Sequence, residues 1–444
     1  MKNLIISIFF VVQSLHLFSQ FQFAKLDSVF QILENQNQCT GSFSIAKKGK
    51  IIYQKSIGFA DIDQKIKNNE NTSYGIGSIT KTFTATLLFE TMEKSHQLPN
   101  GSILTLDTKL SEFYPQIPNS NRINIAMLLS HKSGLYNITD ASDYLEWNQN
   151  YQSKEKLLEK IINLPADFEP GTQMSYSNTN YIILGWILED IHKSTFANLI
   201  QKLCVEKLKY RKTKVGQTNV FPDANSYEKK ENKWIKTSRT DASIPFSAGN
   251  MISTPNELNL FIYQLLSGKI VNKKTLAVMK ETENNVGKGL FKVPFYENTG
   301  YGHTGGIDGY QSASFFFDNQ EISISLCLNG NDMTMNDILI YMLSAVYNKA
   351  FDLPQILKNN ELDKDLINKI TKTYTNSDLQ FDIKIFEKNG FLFAQGTNQP
   401  EFPLTYVGEN QFTFEKAAVK IQFDKDYKSF TLFQNGQKFK FLLK

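Results

Sequence analysis

Before Pro354, alternating apolar segments sit at the two ends of the chain, and helical periodicity fills the span between them. Gly41–Lys47 and Ile51–Gly58 flank Lys48-Gly49-Lys50 and read as a hairpin. Tyr310–Phe317 and Glu321–Leu328 flank Asp318-Asn319-Gln320 and read as a second one. Leu26, Val29, Phe30 and Leu33 fall at helical spacing ahead of the first hairpin, and Asn336–Tyr347 does so after the second. Between the hairpins, Thr82–Met92, Ile123–Leu129, Lys154–Ile162, Tyr181–Ile191 and Asn256–Leu266 read as helices. Distant hairpins around a helical middle satisfy their backbone groups by pairing into one sheet built from both ends. The expected fold class is α+β: an antiparallel sheet flanked by helices, with an inserted helical domain.

The pattern changes near Pro354. Phe381, Ile383 and Ile385 alternate, as do Val419, Ile421 and Phe423, while Asn389-Gly390 and Asn435-Gly436 sit between apolar runs as hairpin turns. Residues 362–444 are therefore expected to form a separate small all-β domain after a main domain spanning 21–355.

The chain begins with Met1-Lys2-Asn3 and a mostly apolar run, Leu4–Phe18. A short basic start and a run below the length of about 20 residues needed to span a bilayer fit a cleavable signal peptide over residues 1–20. The expected location is periplasmic or secreted, with no stable membrane insertion after cleavage. A net charge of +4 over 444 residues is too small to indicate nucleic-acid binding. The three cysteines, Cys39, Cys204 and Cys327, cannot build a disulfide scaffold and none stands in C-x-x-C spacing. If the strands carrying Cys39 and Cys327 pair, a bridge between them is conceivable. No H-E-x-x-H occurs, and no metal or cofactor is implied.

Ser78-Ile79-Thr80-Lys81 is an S-x-x-K that follows Gly75-Ile76-Gly77 and opens an apolar helix, so Ser78 and Lys81 fall one turn apart on one face. Ser44, Ser153 and Ser226 also have lysine three residues on, but Ser44 lies in an expected strand and the others in polar stretches. A helix start offers a free N–H to a developing oxyanion, although an N-cap serine beside a solvent-facing lysine would look the same. Tyr176-Ser177-Asn178 follows the turn Glu169-Pro170-Gly171 and precedes a helix beginning near Tyr181. There a phenol can relay a proton and an amide can bind a substrate carbonyl; a turn tyrosine packed on the insertion is the plain alternative. His303-Thr304-Gly305-Gly306 precedes the second hairpin, where an edge strand can line a cleft and its glycines admit a substrate backbone. A Gly-rich turn with an incidental histidine is the alternative there.

Together and in this order, the three motifs resemble those of the serine β-lactamase and penicillin-binding-protein superfamily: S-x-x-K, then Y-x-N, then K-T-G. The tyrosine version is similar to class C β-lactamases, D-alanyl-D-alanine carboxypeptidases and related esterases and D-amino-acid peptidases. Gly75–Thr84, Met127–Leu135, Pro170–Asn180 and Ala248–Leu260 support the resemblance, which covers roughly residues 25–350. It implies Ser78 as nucleophile, Lys81 as its basic partner and Tyr176 in proton transfer. It implies Asn178, His303, Thr304 and Gly305 in substrate binding, and the N–H groups of Ser78 and Gly306 as the oxyanion hole. Lys81 and Tyr176 should then both reach the Ser78 hydroxyl. His131, inside Met127–Leu135, reads as a helix cap rather than a chemical group.

The third motif usually begins with lysine, and here it begins with His303. A largely neutral histidine suits esters, amides or D-amino-acid peptides at least as well as substrates bearing a carboxylate. If His303 does bind a carboxylate, turnover of acidic substrates should rise as pH falls toward about 6. The implied protein is a secreted serine hydrolase that forms an acyl-enzyme on an amide or ester, its substrate a small molecule or peptide, with cell-wall-derived compounds among the candidates. A class C-like β-lactamase or D-alanyl-D-alanine carboxypeptidase is the nearer alternative. A catalytically silent protein that binds cell-wall fragments is the alternative from another class. The loops Thr139–Tyr151 and Lys214–Ser247 are expected to shape the pocket.

Overall fold

The computed structural model describes residues 21–444 except 99, 231–232, 355–363, 378, 389–390, 398, 400, 415–416, 418 and 435–436. The signal peptide expected over 1–20 lies outside these residues. The chain divides into two compact units, one ending at Asp352 and the other starting at Leu353.

In the first unit a six-stranded antiparallel sheet is assembled from both ends of the sequence. Its spatial order is Phe291–Phe295, Asn298–Ile307, Tyr310–Phe317, Ile322–Asn331, Cys39–Lys47 and Lys50–Ile57. The closing pair runs from Cys39 opposite Asn331 to Lys47 opposite Ile322. Side chains alternate across it. Ile322, Ile324, Leu326 and Leu328 join Phe43 and Ile45 in a core beneath the helices Phe23–Asn35 and Met335–Tyr347. Each such buried side chain contributes about 1.5–3 kcal/mol. The other face is small and polar, so the helix Pro255–Leu266 packs closely on it. There Ser44 Oγ donates to Asn256 Oδ1 at 2.6 Å and Ser325 Oγ to Asn259 Oδ1 at 2.9 Å.

The helical layer occupies the middle of the sequence. Thr80–Glu93 packs against Asn178–His192 and the short helix Phe246–Gly249, and Phe83 stacks on Phe261 at 3.6 Å between ring centroids. The helix expected near Tyr181 begins earlier, at Asn178, because Asn137 Oδ1 accepts the Asn178 N–H and completes the first turn. The strand Phe291–Phe295 has no clear sequence signal: Pro294 interrupts it, which the sheet tolerates because it is an edge. Cys39 stands opposite Asn331 and Cys327 opposite Ser42, well apart on the ladder; both thiols are free, so the conceivable bridge does not form.

The second unit is an antiparallel barrel of eight strands, from Thr373–Asn376 to Gln437–Leu443, which pair with each other to close it. Closure removes sheet edges. Phe430 stacks on Phe441 at 5.0 Å, and Tyr374, Phe412 and Phe423 pack with them in the interior. The two Asn-Gly turns fall outside the described residues, but their flanking strands pair, Lys388 with Phe391 and Gln434 with Gln437. So the α+β reading with a small β-domain after it agrees with the structure.

Candidate active site

Ser78 lies in a one-turn 3-10 helix, Gly77–Ile79, that runs directly into the helix Thr80–Glu93. The chain reaches it flat against the sheet. Gly77 has φ +48°, and a Cβ there would stand 2.7 Å from the Gly306 nitrogen; one on Gly305 would stand 2.0 Å from the Ile76 carbonyl oxygen. Glycine is required at both positions, because only bare backbone lets the two segments touch. Ser312 Oγ adds a hydrogen bond to that Ile76 carbonyl at 2.8 Å. The Gly75-Ile76-Gly77 run thus seats Ser78 beside Gly306.

One turn on, Lys81 is completely buried. Its Nζ lies 2.9 Å from Ser78 Oγ, 2.7 Å from Asn178 Oδ1 and 2.8 Å from the Ala248 carbonyl oxygen. Burial holds the Lys81 pKa well below the usual lysine value.

Tyr176 and Asn178 enter from the start of the helix Asn178–His192. The Tyr176 ring lies 4.9 Å from Lys81 Nζ. Burial raises the Tyr176 pKa, and the Ser78 side chain nearby opposes that rise only in part. Asn178 is held from both sides: besides Lys81 on Oδ1, its Nδ2 donates to Thr139 Oγ1 at 3.0 Å.

His303, Thr304, Gly305 and Gly306 lie on Asn298–Ile307, whose pairing with Phe291–Phe295 stops at Gly302. Beyond Gly302 the strand pairs on one side only, and the Ser78 turn lies against it. Ser78, Lys81, Tyr176, Asn178 and the His303–Gly306 segment therefore meet at one place.

Residues 27–349 match the Beta-lactamase family. The chain belongs to that family. Teichoic acid D-alanine hydrolase of Staphylococcus aureus strain MRSA252 is 24% identical over 314 residues, 67% of this chain and 74% of that protein. D-amino acid amidase from Ochrobactrum anthropi SV3, in its complex with D-phenylalanine, superposes with a TM-score of 0.64 at 22% identity, covering 74% of this chain and 100% of that one. An octameric penicillin-binding protein homologue from Pyrococcus abyssi gives 0.67 at 19% identity over 95% of this chain and 99% of that one. This Beta-lactamase family member is a serine hydrolase.

The third motif of this family member opens with the histidine expected to be largely neutral near pH 7. His303 is buried, with its ring 4.4 Å from that of Phe291 and 6.4 Å from that of Tyr176. Its Nδ1 faces the Thr304 carbonyl oxygen and donates to it, which leaves Nε2 bare in the neutral ring. Burial, reinforced by Lys81, lowers its pKa to about 3. Burial therefore disfavours the imidazolium on which any rise in acidic-substrate turnover toward pH 6 would depend.

Several contributors were not among the site residues expected from the sequence. The Ala248 carbonyl is backbone, and Thr139 and Phe291 come from segments remote from the three motifs. His131 is the other: its ring stacks on Tyr176 at 4.4 Å. Among the described residues no group of three or more His, Cys, Asp or Glu is placed to hold a metal ion.

Proposed function

We propose that this protein hydrolyses D-amino-acyl esters or amides through an acyl-enzyme on Ser78. The observation that carries the proposal is the set of partners around Lys81. A neutral amine has two hydrogens and one lone pair. Asn178 Oδ1 and the Ala248 carbonyl take the two hydrogens, and the lone pair is left facing Ser78 Oγ at 2.9 Å. That is the arrangement of a general base with its proton donor.

In the first step Ser78 Oγ attacks the substrate carbonyl carbon, and its proton passes to Lys81 Nζ. The N–H groups of Ser78 and Gly306 hold the charge that develops on the carbonyl oxygen. Collapse breaks the bond to the leaving group, which takes a proton through Tyr176. Tyr176 is suited to that task as a phenol, because its raised pKa keeps the proton in place near neutral pH. Water then attacks the acyl-enzyme, loses its proton along the same path, and frees the acid and Ser78.

The substrate class follows from the wall formed by His303, Phe291 and Tyr176. A neutral imidazole between aromatic rings supplies no cation for a substrate carboxylate. A D-amino-acyl group on an alcohol or amine needs none, and it is the acyl class in the names of the S. aureus hydrolase and the O. anthropi amidase. We also propose that residues 1–20 are a signal peptide and that the enzyme works on a cell-wall-derived substrate outside the cytoplasm.

A hydrolysis panel tests the substrate: a D-alanyl ester, D-phenylalanine amide, their L counterparts, nitrocefin and a D-Ala-D-Ala peptide. The proposal expects turnover of the D-amino-acyl compounds above all others. Preferred turnover of nitrocefin or of the D-Ala-D-Ala peptide would overturn it in favour of a β-lactamase or carboxypeptidase. Recovery from the periplasm or medium of a chain beginning near residue 21 is the matching expectation for the leader; an intact Met1 there would contradict it.

A further inference from the structure

We infer that His131 is a positioning residue for Tyr176, clamping the chain on both sides of the tyrosine and supporting one face of its ring. The inference rests on the proposed role of Tyr176 in proton transfer.

His131 sits just past the short helix Ile125–Leu129, at φ +58°. Its N–H bonds back to the Leu128 carbonyl and the Lys132 N–H to the Met127 carbonyl at 2.8 Å, the hydrogen-bond pattern of a left-handed helix stop. Glycine is the favoured residue at such a position, because a side chain there strains the backbone. A histidine in its place calls for a use of the side chain, and the structure supplies three contacts around one residue.

The His131 carbonyl accepts the Ser175 N–H at 3.0 Å, and His131 Nδ1 accepts the Ser177 N–H at 3.1 Å. The imidazole stacks on the Tyr176 ring between them at 4.4 Å and 28°. The ring's own orientation is determined by its neighbours. Ser133 Oγ donates to Asn180 Oδ1 at 2.5 Å, which turns Asn180 Nδ2 toward His131 Nδ1 at 3.4 Å. Nδ1 therefore carries no proton, and burial with Lys81 and His303 nearby keeps the ring neutral. Tyr176 stands in the irregular segment ahead of the helix Asn178–His192, so no strand ladder holds it. His131 takes the place of that ladder.

Capping and clamping predict opposite results for His131→Gly. Glycine keeps, and improves, the left-handed stop while deleting the ring and Nδ1. His131→Asn keeps an acceptor near the Nδ1 position and also tolerates the left-handed conformation. Both variants are to be made in wild type and in Tyr176→Phe, with kcat and KM measured on a neutral ester and folding checked by circular dichroism.

The clamp predicts that His131→Gly loses about 30-fold or more in kcat with KM within about threefold, and that His131→Asn recovers a large part. In Tyr176→Phe the same change should cost less than about threefold, because the tyrosine through which His131 acts is gone. Equal losses in both backgrounds, or an unchanged kcat for His131→Gly, would overturn the inference while leaving the Ser78 mechanism standing. Full activity in Tyr176→Phe alone would remove the Tyr176 assignment and this inference with it. If His131→Gly does not fold, His131→Ala, which also deletes the ring and Nδ1, is compared across the two backgrounds in its place, with the same expected and contradicting results.

Discussion

Lys81 Nζ and Ser78 Oγ are 2.9 Å apart, and the lysine has no exposure to solvent. Burial disfavours the ammonium form, so one geometric fact supplies both the proximity and the basicity that serine activation needs. The Lys81 pKa is lowered in the folded protein, so the amine is charged at low pH and becomes a base as pH rises. The kcat/KM for a neutral ester should therefore climb with pH and level off well below the ordinary lysine value of about 10.4. A profile still rising through that value would contradict a buried, weakened ammonium.

Asn178 Oδ1 accepts from Lys81 at 2.7 Å, so its charge can be used to tune the base. Asn178→Asp places a carboxylate there and stabilises the ammonium. The acid limb should move up by about 1–2 pH units, with activity low at neutral pH and partly restored at alkaline pH. An unshifted limb in the pH profile would show that Lys81 is not the group that titrates.

His303 is held neutral down to a pKa of about 3. The ratio of acidic-ester to neutral-ester turnover in one preparation should therefore stay flat between about pH 5 and 8, while the shared loss from Lys81 protonation cancels. A ratio that rises toward pH 6 would mean that a charged His303 reads the substrate.

Gly77 has φ +48° and lies against Gly306, so Gly77→Ala is expected to separate the two segments that seat Ser78. The positive φ alone costs about 1–3 kcal/mol. Displacing an oxyanion donor costs about 100-fold in kcat. Thermal unfolding and steady-state kinetics check both; a variant with wild-type kcat would show that this contact does not place the oxyanion site.

Ser78 and Lys81 were legible because a three-residue spacing on an apolar helix puts both on one face, and the surrounding motifs distinguished this S-x-x-K from three others. The sheet was legible because strand alternation marks its central members. Its edge was not, because Pro294 and the glycines of Asn298–Ile307 look like turn residues until the sheet partners are known. That His303 stays neutral well into the acid range was not legible: its type suggests a value near the ordinary histidine one, and the burial that lowers it comes from segments distant in the chain. His131 was read as a helix stop, which it is; its second use appears only when Tyr176 is seen against its ring.

The central claim is that Ser78 becomes covalently acylated. Intact-mass analysis of the full chain treated with a fluorophosphonate, followed by peptide mapping, tests it most directly. The account predicts one adduct per chain, on the peptide carrying Ser78, lost in Ser78→Ala and strongly slowed in Lys81→Ala. Labelling that persists in Ser78→Ala, or no labelling of the wild-type protein, would contradict it and favour a cleft that binds without reacting.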